Sequence, residues 1–349
     1  MQRSKQSESV SKQLRRRVNN PPEAEEPNKG NFELIRSTGS TLLDLAVSGG
    51  RVYGGGLPAG ILVEIFGPSS TGKTVLLSEI AGNVQAKGGD IIYQDPEARL
   101  DPRFAKMFGL DLESTSYSTP DTVSEVFETI KNWKPENPDV VNGIFVDSLA
   151  ALSTNMELSD DGDPYGMRRS KEFSEGLRKT CREIKKRNYL MVCSNQVRDV
   201  IGAQAFQEKT APTGGKAWSF YPSLRLSTVL TKKYESKIEL SKKNVHKKIV
   251  GIRTEIKVYK SSIWEPYNTA PVTIMFDYGI DDIRENLQYI KDNTGASTYT
   301  MDGQNLNTSL AKSIAIIEDG NLETELREEV IKLWTTLNDK HKVERKPKH

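Results

Sequence analysis

The 349-residue chain has only two cysteines, Cys181 and Cys193, both inside apolar segments. That is too few for a disulfide scaffold or a zinc site, so core thiols in a reducing compartment are expected. No apolar run approaches the length of a membrane span, and the N-terminus is polar, unlike a secretion signal. A cytoplasmic protein with no membrane partner is predicted. An excess of either charge is also missing: 49 Lys and Arg against 47 Asp and Glu leave a net +2. The balance hides clusters, because Arg15 to Arg17, the lysines between Lys232 and Lys248, and the tail from Lys340 to His349 are basic. Local patches therefore matter more than the total. A chain of this length can bury a substantial core, as one large domain with appendages or as two domains.

What the sequence does have is one dense motif. Gly67-Pro68-Ser69-Ser70-Thr71-Gly72-Lys73-Thr74 follows the apolar run Ile61 to Phe66 and precedes the helical pattern that begins at Val75. It fits Gly-x-x-x-x-Gly-Lys-Thr between a strand and a helix, the context in which that pattern cradles nucleotide phosphates. The glycines let backbone N–H groups turn inward, and the helix adds its positive end. Lys73 neutralises phosphate charge, and the Thr74 hydroxyl is placed to ligate Mg²⁺.

Around this motif the chain alternates. Residues 1 to about 30 are polar, with Pro21, Pro22 and Pro27, and read as an arm in which Ser9 to Val18 could form a short helix on a partner. Ser or Thr ahead of Leu42 to Val47 predicts a helix start. Buried strands are expected at Asp90 to Gln94, Val140 to Ser148 and Tyr189 to Gln196, a short one at Ser116 to Ser118, and helices at Pro102 to Phe108 and Thr122 to Trp133. Alternating strands and helices predict an α/β fold with a mainly parallel sheet covered on both faces. Near-adjacent strands from Leu224 to Phe276 predict antiparallel hairpins that extend it. A small, mainly helical unit follows from Asp282 to Leu337, with a turn signal at Met301 to Asn305.

Ligand chemistry belongs at the carboxyl ends of such strands. Asp147 ends one of them in a Walker B pattern and is expected to hold the Mg²⁺ shell. Glu97 is the candidate to orient and deprotonate an attacking water, and Gln196 the candidate to touch the γ-phosphate. The long stretch Val197 to Lys216 mixes cationic, small and apolar residues, which suits contact with a nucleic-acid backbone and insertion between bases. In a second loop, Glu157 to Arg169, the acidic half repels DNA, so contacts are expected from Tyr165, Met167, Arg168, Arg169 and Lys171. The stretch Lys232 to Lys248 reads either as another DNA-facing surface or as a solvated hairpin.

Taken in order, the P-loop, Asp95-Pro96-Glu97-Ala98-Arg99-Leu100-Asp101-Pro102, Val146-Asp147-Ser148-Leu149-Ala150-Ala151-Leu152, Asn195-Gln196-Val197-Arg198 and Thr213-Gly214-Gly215-Lys216-Ala217 resemble the bacterial RecA recombinases and their phage and plasmid relatives. The resemblance runs from about Ile35 to Leu337. It implies a RecA-like P-loop ATPase core with a small C-terminal α/β domain. The divisions would be an arm at 1–34, a core at 35–282 with DNA-binding loops at about 157–171 and 197–216, a C-terminal domain at 283–338 and a basic tail at 339–349.

The resemblance further implies an ATP- and Mg²⁺-dependent, DNA-dependent ATPase that forms homo-oligomeric filaments on single-stranded DNA and exchanges strands with duplex DNA. By position, nucleotide contacts would come from Gly67 to Val75, Asp101, Phe104 and Asp147, with Asp101 and Phe104 against the adenine. Lys73, Glu97, Gln196 and Lys260 would be catalytic, Lys260 reaching across to a neighbour's ATP. DNA contacts would include Ser174, Arg178, Arg198, Ile201, Gly214, Gly215 and Lys216, and Phe220 would lie at the subunit interface.

Four departures stand out: Ser262 where the family has a second trans-acting lysine, Ser69 where an acid is common, a proline-broken arm, and a basic tail in place of an acidic one. They imply slower turnover, tighter and salt-sensitive duplex binding, and a phage or mobile-element origin. Two other readings share these residues, a hexameric helicase-type ATPase and a recombination mediator that does not exchange strands.

Overall fold

The computed structural model describes residues 30–154, 167–199, 210–212, 217–241, 244–342 and 345. Tyr165, Ile201, Gly214, Gly215, Lys216, the Ser9 to Val18 stretch and the last four residues lie outside these, as do the side chains of Met167, Arg168 and Arg198.

Strand β1 (Asn31–Arg36) begins inside the stretch expected as an arm and pairs antiparallel with β2 (Leu57–Ala59). Between them, Ser40 caps α1 (Thr41–Ser48) by accepting the Leu43 N–H, which leaves the apolar face of the helix to pack inward. Then come β3 (Ile61–Gly67), α2 (Lys73–Gln85), β4 (Ile91–Gln94), α3 (Pro102–Met107), β5 (Ser116–Ser118), α4 (Val123–Asn132) and β6 (Gly143–Val146). After α5 (Met167–Lys186) follow β7 (Leu190–Asp199), β8 (Thr210–Pro212) and α6 (Ala217–Phe220). Next are β9 (Leu224–Ser241), β10 (Asn244–Ser261), β11 (Thr269–Met275) and β12 (Gly279–Ile280). The chain ends in α7 (Asp282–Thr294), β13 (Tyr299–Met301), β14 (Gln304–Asn307), α8 (Leu310–Gly320) and α9 (Glu323–Lys340).

Among the described residues, ten strands form one sheet in the order β12-β11-β10-β9-β3-β7-β6-β4-β5, with β8 hung on β7. From β9 to β5 the neighbours run parallel, and from β9 to β12 they run antiparallel, as the change of sequence pattern near Leu224 predicts. Side chains alternate across the sheet. Ile61, Val63 and Ile65 of β3 join a core with α1 and α2, while Leu62 joins a second core with Val126 of α4 and Phe173 and Leu177 of α5. The sheet is thereby covered on both faces.

Two expectations about loops are corrected. Phe173, Leu177, Cys181 and Ile184 recur at helical spacing, and their burial against α4 draws the helix back to Met167, so Met167 to Lys171 are helical rather than loop. Beyond Gln196 the chain first continues as strand, because Val197 to Asp199 pair with Thr210 to Pro212.

Strands β9 and β10 have 18 residues each, yet β9 touches β3 only from Leu224 to Ser227, and β10 touches β11 only from Gly251 to Lys257. Their far halves therefore pair only with each other among the described residues and form a ribbon. On it Lys237 and Lys247 share Glu235, at 3.7 and 3.6 Å.

The C-terminal unit turns at Asp302-Gly303, both at positive φ (48° and 74°), the two-residue geometry that matches strand twist. It is tied to the core by Asp282, which accepts the Thr41 N–H at 2.7 Å and the Thr41 hydroxyl at 2.6 Å, and by an Arg327–Asp44 ion pair at 3.0 Å.

The helix after the P-loop is fastened to the sheet edge by Glu79, whose carboxylate accepts the Ile280 N–H at 3.2 Å. Burial pushes this carboxyl up to about 7 from its ordinary 4.5; the Ile280 bond opposes the shift and the nearby Asp282 charge adds to it. The folded chain thus keeps a proton that the unfolded chain releases. Stability attributable to Glu79 falls as pH rises from 4.5 to about 7, and the full cost, about 3 kcal/mol, is present above 7. Glu79→Gln should raise the unfolding free energy by about that amount at pH 8 and change it little at pH 4, read by urea denaturation. Equal effects at both pH values would exclude this assignment.

Candidate nucleotide site at the strand ends

The carboxyl ends of β3, β4, β6 and β7 open into one cleft of about 420 Å³. Its lining includes Ser69, Ser70, Gly72, Lys73, Thr74 and Val75 from the P-loop and α2, and Glu97, Asp147 and Gln196 from the other strand ends. The P-loop conformation follows from two glycines. A Cβ on Gly67 would stand 2.2 Å from the Thr228 hydroxyl and 2.6 Å from its carbonyl oxygen. Gly72 has φ +86°, and a Cβ there would meet Ile274 at 2.3 Å. Thr71 fastens the loop's centre, its hydroxyl 2.7 Å from that of Thr228.

Lys73 curls back over the loop. Its Nζ donates to the carbonyls of Gly67 at 3.1 Å and Pro68 at 2.7 Å. Burial lowers its affinity for a proton, and the Asp147 and Glu97 charges offset this only in part. Asp147 has the opposite problem: burial raises its carboxyl, opposed in part by the Ser194 hydroxyl, which donates a hydrogen bond to it, and by the nearby Thr74 hydroxyl. Glu97 accepts from Ser148 Oγ at 3.1 Å and from Gln196 Nε2 at 3.3 Å, and pairs with Arg99 at 2.7 Å.

This donor set suits a Mg²⁺–nucleotide complex. Thr74 and Asp147 line the same cleft, and a buried carboxyl held against its own desolvation is the group a divalent ion relieves. Among the described residues no cluster of three or more His, Cys, Asp or Glu side chains is placed to hold a metal. Magnesium does not need one, since it takes one or two carboxylates plus phosphate oxygens and water.

Asp101, expected beside Phe104 against the adenine, is not among the residues that line the cleft; its carboxylate caps α3, accepting the N–H groups of Arg103 at 2.7 Å and Phe104 at 3.4 Å. Phe104 does line the cleft, braced edge-on by Phe108 at 4.3 Å between ring centroids. Lys260 is not in the cleft either; it lies on β10, where Nζ donates to the carbonyls of Ser219 at 3.0 Å and Phe220 at 2.7 Å.

Of the expected DNA-contacting residues on α5, Lys171, Ser174 and Arg178 share one helix face at three- and four-residue spacing, with Lys171 and Arg178 exposed. Arg169 instead donates to the Leu152 carbonyl at 2.9 Å. Phe220 is 73% exposed, a large apolar side chain with little to cover it.

The sequence reading gave no individual role to Asp95, Ser148, Ser194 or Arg99, which also line the cleft. Asp95 organises the turn that presents Glu97 by accepting the N–H groups of Arg99 and Leu100 and the Tyr117 hydroxyl, each at 2.8 Å. Its place at a strand end, one Pro before Glu97, was the available signal.

Comparison with known proteins follows the same lines. A family model described as the RecA N-terminal domain matches residues 25–281. The chain is 32% identical over 313 residues to Protein RecA of Clostridioides difficile (strain 630), covering 88% of this chain and 85% of that one. It is 30% identical over 323 residues to Protein RecA of Colwellia psychrerythraea, covering 89% and 88%. With Protein RecA of Helicobacter hepaticus the identity is 34% over 254 residues, covering 72% and 69%.

Proposed function

The chain belongs to the RecA family, and from that premise we propose that it is a DNA-dependent ATPase that forms filaments on single-stranded DNA and catalyses homologous pairing and strand exchange. The observation that carries this reading is the bond between Glu97 and Gln196 inside the cleft that also holds Lys73 and Asp147. It puts a candidate base in contact with the residue from which β7 leaves for the stretch that suits DNA.

In this mechanism ATP with Mg²⁺ supplies the transferable phosphoryl group and the charge that distinguishes one state from the next. The chain's own part is positional and electrostatic. Lys73 would exchange its Gly67 and Pro68 carbonyls for phosphate oxygens, while Thr74 and Asp147 would hold the metal shell. Glu97, kept in place by Ser148, orients a water and takes its proton. Gln196 releases or keeps Glu97 according to what occupies the cleft, and so reports occupancy to β7. Phe220 and Lys260 belong to the surface that meets a neighbouring subunit, and Ser262 leaves that surface one charge short. Lys171, Ser174 and Arg178 offer α5 to the DNA backbone.

A strand-exchange assay tests the proposal with ATP, with a non-hydrolysable analogue, and with Lys73→Ala. Exchange in the first two and its loss in the variant are expected, making nucleotide binding the switch and hydrolysis the reset. Absence of exchange in all three would replace this reading with that of a mediator.

A further inference from the structure

Beneath the cleft, on the sheet face away from Ser194 and Gln196, a polar row crosses four strands. Cys193 of β7, Glu64 of β3, Arg225 of β9 and Lys260 of β10 stand in register. Glu64 is fully buried and Arg225 is 5% exposed. Arg225 Nε donates to one Glu64 carboxylate oxygen at 2.6 Å, and Asn195 Nδ2 donates to the other at 2.9 Å. The guanidinium lies 4.6 Å from the Phe66 ring centre and 5.2 Å from that of Tyr259. Burial pushes the Glu64 carboxyl up, and Arg225 and Asn195 pull it back. Lys260 feels the same carboxylate, which opposes the loss of its charge to burial and to Arg225.

A sheet centre does not need such a group. Apolar side chains of similar volume often stabilise as well as a buried ion pair or better, so what the pair adds is a fixed geometry. Here that geometry has two ends. At one, Asn195 precedes Gln196, whose side chain bonds Glu97 in the cleft. At the other, Lys260 holds the last two carbonyls of α6, those of Ser219 and Phe220. Strand β7 enters the stretch 200–216 and α6 leaves it. The row therefore sets both stems of that stretch against one buried block, β7 through the Asn195–Glu64 bond and α6 through Lys260, which stands in register with Arg225 and is attracted by the Glu64 carboxylate.

We propose that Glu64 and Arg225 are positioning residues that join β7 to α6 through Asn195 and Lys260, so that a change at Gln196 reaches both stems of the DNA-facing stretch together. The inference rests on the function proposed above. It makes the buried pair part of the coupling between ATP and DNA rather than only part of the core.

The test separates coupling from stability. The double variant Glu64→Leu/Arg225→Met removes both charges and keeps side chains of related bulk, so it is expected to fold with a melting temperature near that of the wild type. Its ATPase activity without DNA and its KM for ATP should stay within about twofold of wild type, while stimulation by single-stranded DNA falls about tenfold. A double variant that folds and keeps its stimulation overturns the proposal. If the double variant does not fold, Asn195→Ala, which removes one arm of the row, carries the same test: reduced stimulation at unchanged KM supports the coupling, and full stimulation overturns it. A wild-type chain that hydrolyses ATP without any response to DNA overturns the function reading, and the coupling with it. That result is distinct from a responsive wild type beside a responsive variant, which overturns the coupling alone.

Discussion

Glu97→Gln is expected to lower DNA-stimulated ATP turnover by about two to four orders of magnitude, the usual contribution of a positioned general base, while nucleotide affinity stays within about twofold. Glutamine keeps the shape and an oxygen that can accept from Ser148 Oγ, now 3.1 Å from the carboxylate. It cannot take a proton. The lost ion pair with Arg99 contributes little, because Arg99 is 79% exposed and such pairs are weak. Steady-state turnover with saturating single-stranded DNA, beside a fluorescent-nucleotide titration, reads both quantities. Turnover within about fivefold of wild type would move the base elsewhere, with Asp95 and Asp147 the remaining carboxylates in the cleft. The wild-type arm of the same assay also reads the cost of Ser262: a rate normal for the family would remove the expectation of slow turnover.

Arg225→Ala is expected to have the largest effect on stability, about 3–5 kcal/mol, because it leaves the buried Glu64 carboxylate without its ion-pair partner, with the Asn195 amide as a hydrogen-bond donor to it. The aromatic walls make this worse. Phe66 and Tyr259 pack on the guanidinium and would face a void where it stood. A urea midpoint measured at neutral pH checks the loss, with Arg99→Ala as the control that should leave the midpoint unchanged. The Glu64→Leu/Arg225→Met variant should recover most of it, since two apolar groups leave no charge uncompensated. A small effect of Arg225→Ala would mean that water or another cation reaches Glu64, and the row would not be the rigid block inferred here.

How much of this was legible in the sequence varied with the range of the interaction. Strand and helix types followed from apolar spacing, and α1, α3 and α4 begin beside the capping residues Ser40, Asp101 and Thr122 that the chain displays. The start of α5 was not legible. Met167 to Lys171 looks like the end of a polar loop until Phe173 and Leu177 are packed on α4. Asp101 carries a second task that the pattern did not assign: its carboxylate caps α3 through the Arg103 and Phe104 N–H groups, a contact visible only once the helix start is placed.

By itself, the sequence determined the phosphate cradle, because Gly67, Gly72, Lys73 and Thr74 act within eight residues through backbone shape and local charge. It also determined which strand ends carry Glu97, Asp147 and Gln196. Only the tertiary structure decided how these groups meet. Ser148 and Glu97 are 51 residues apart, Gln196 and Glu97 are 99, and Arg225 and Glu64 are 161. No periodicity spans such distances. Their contacts exist because β3, β4, β6, β7 and β9 lie side by side in one register, and register is a property of the whole sheet.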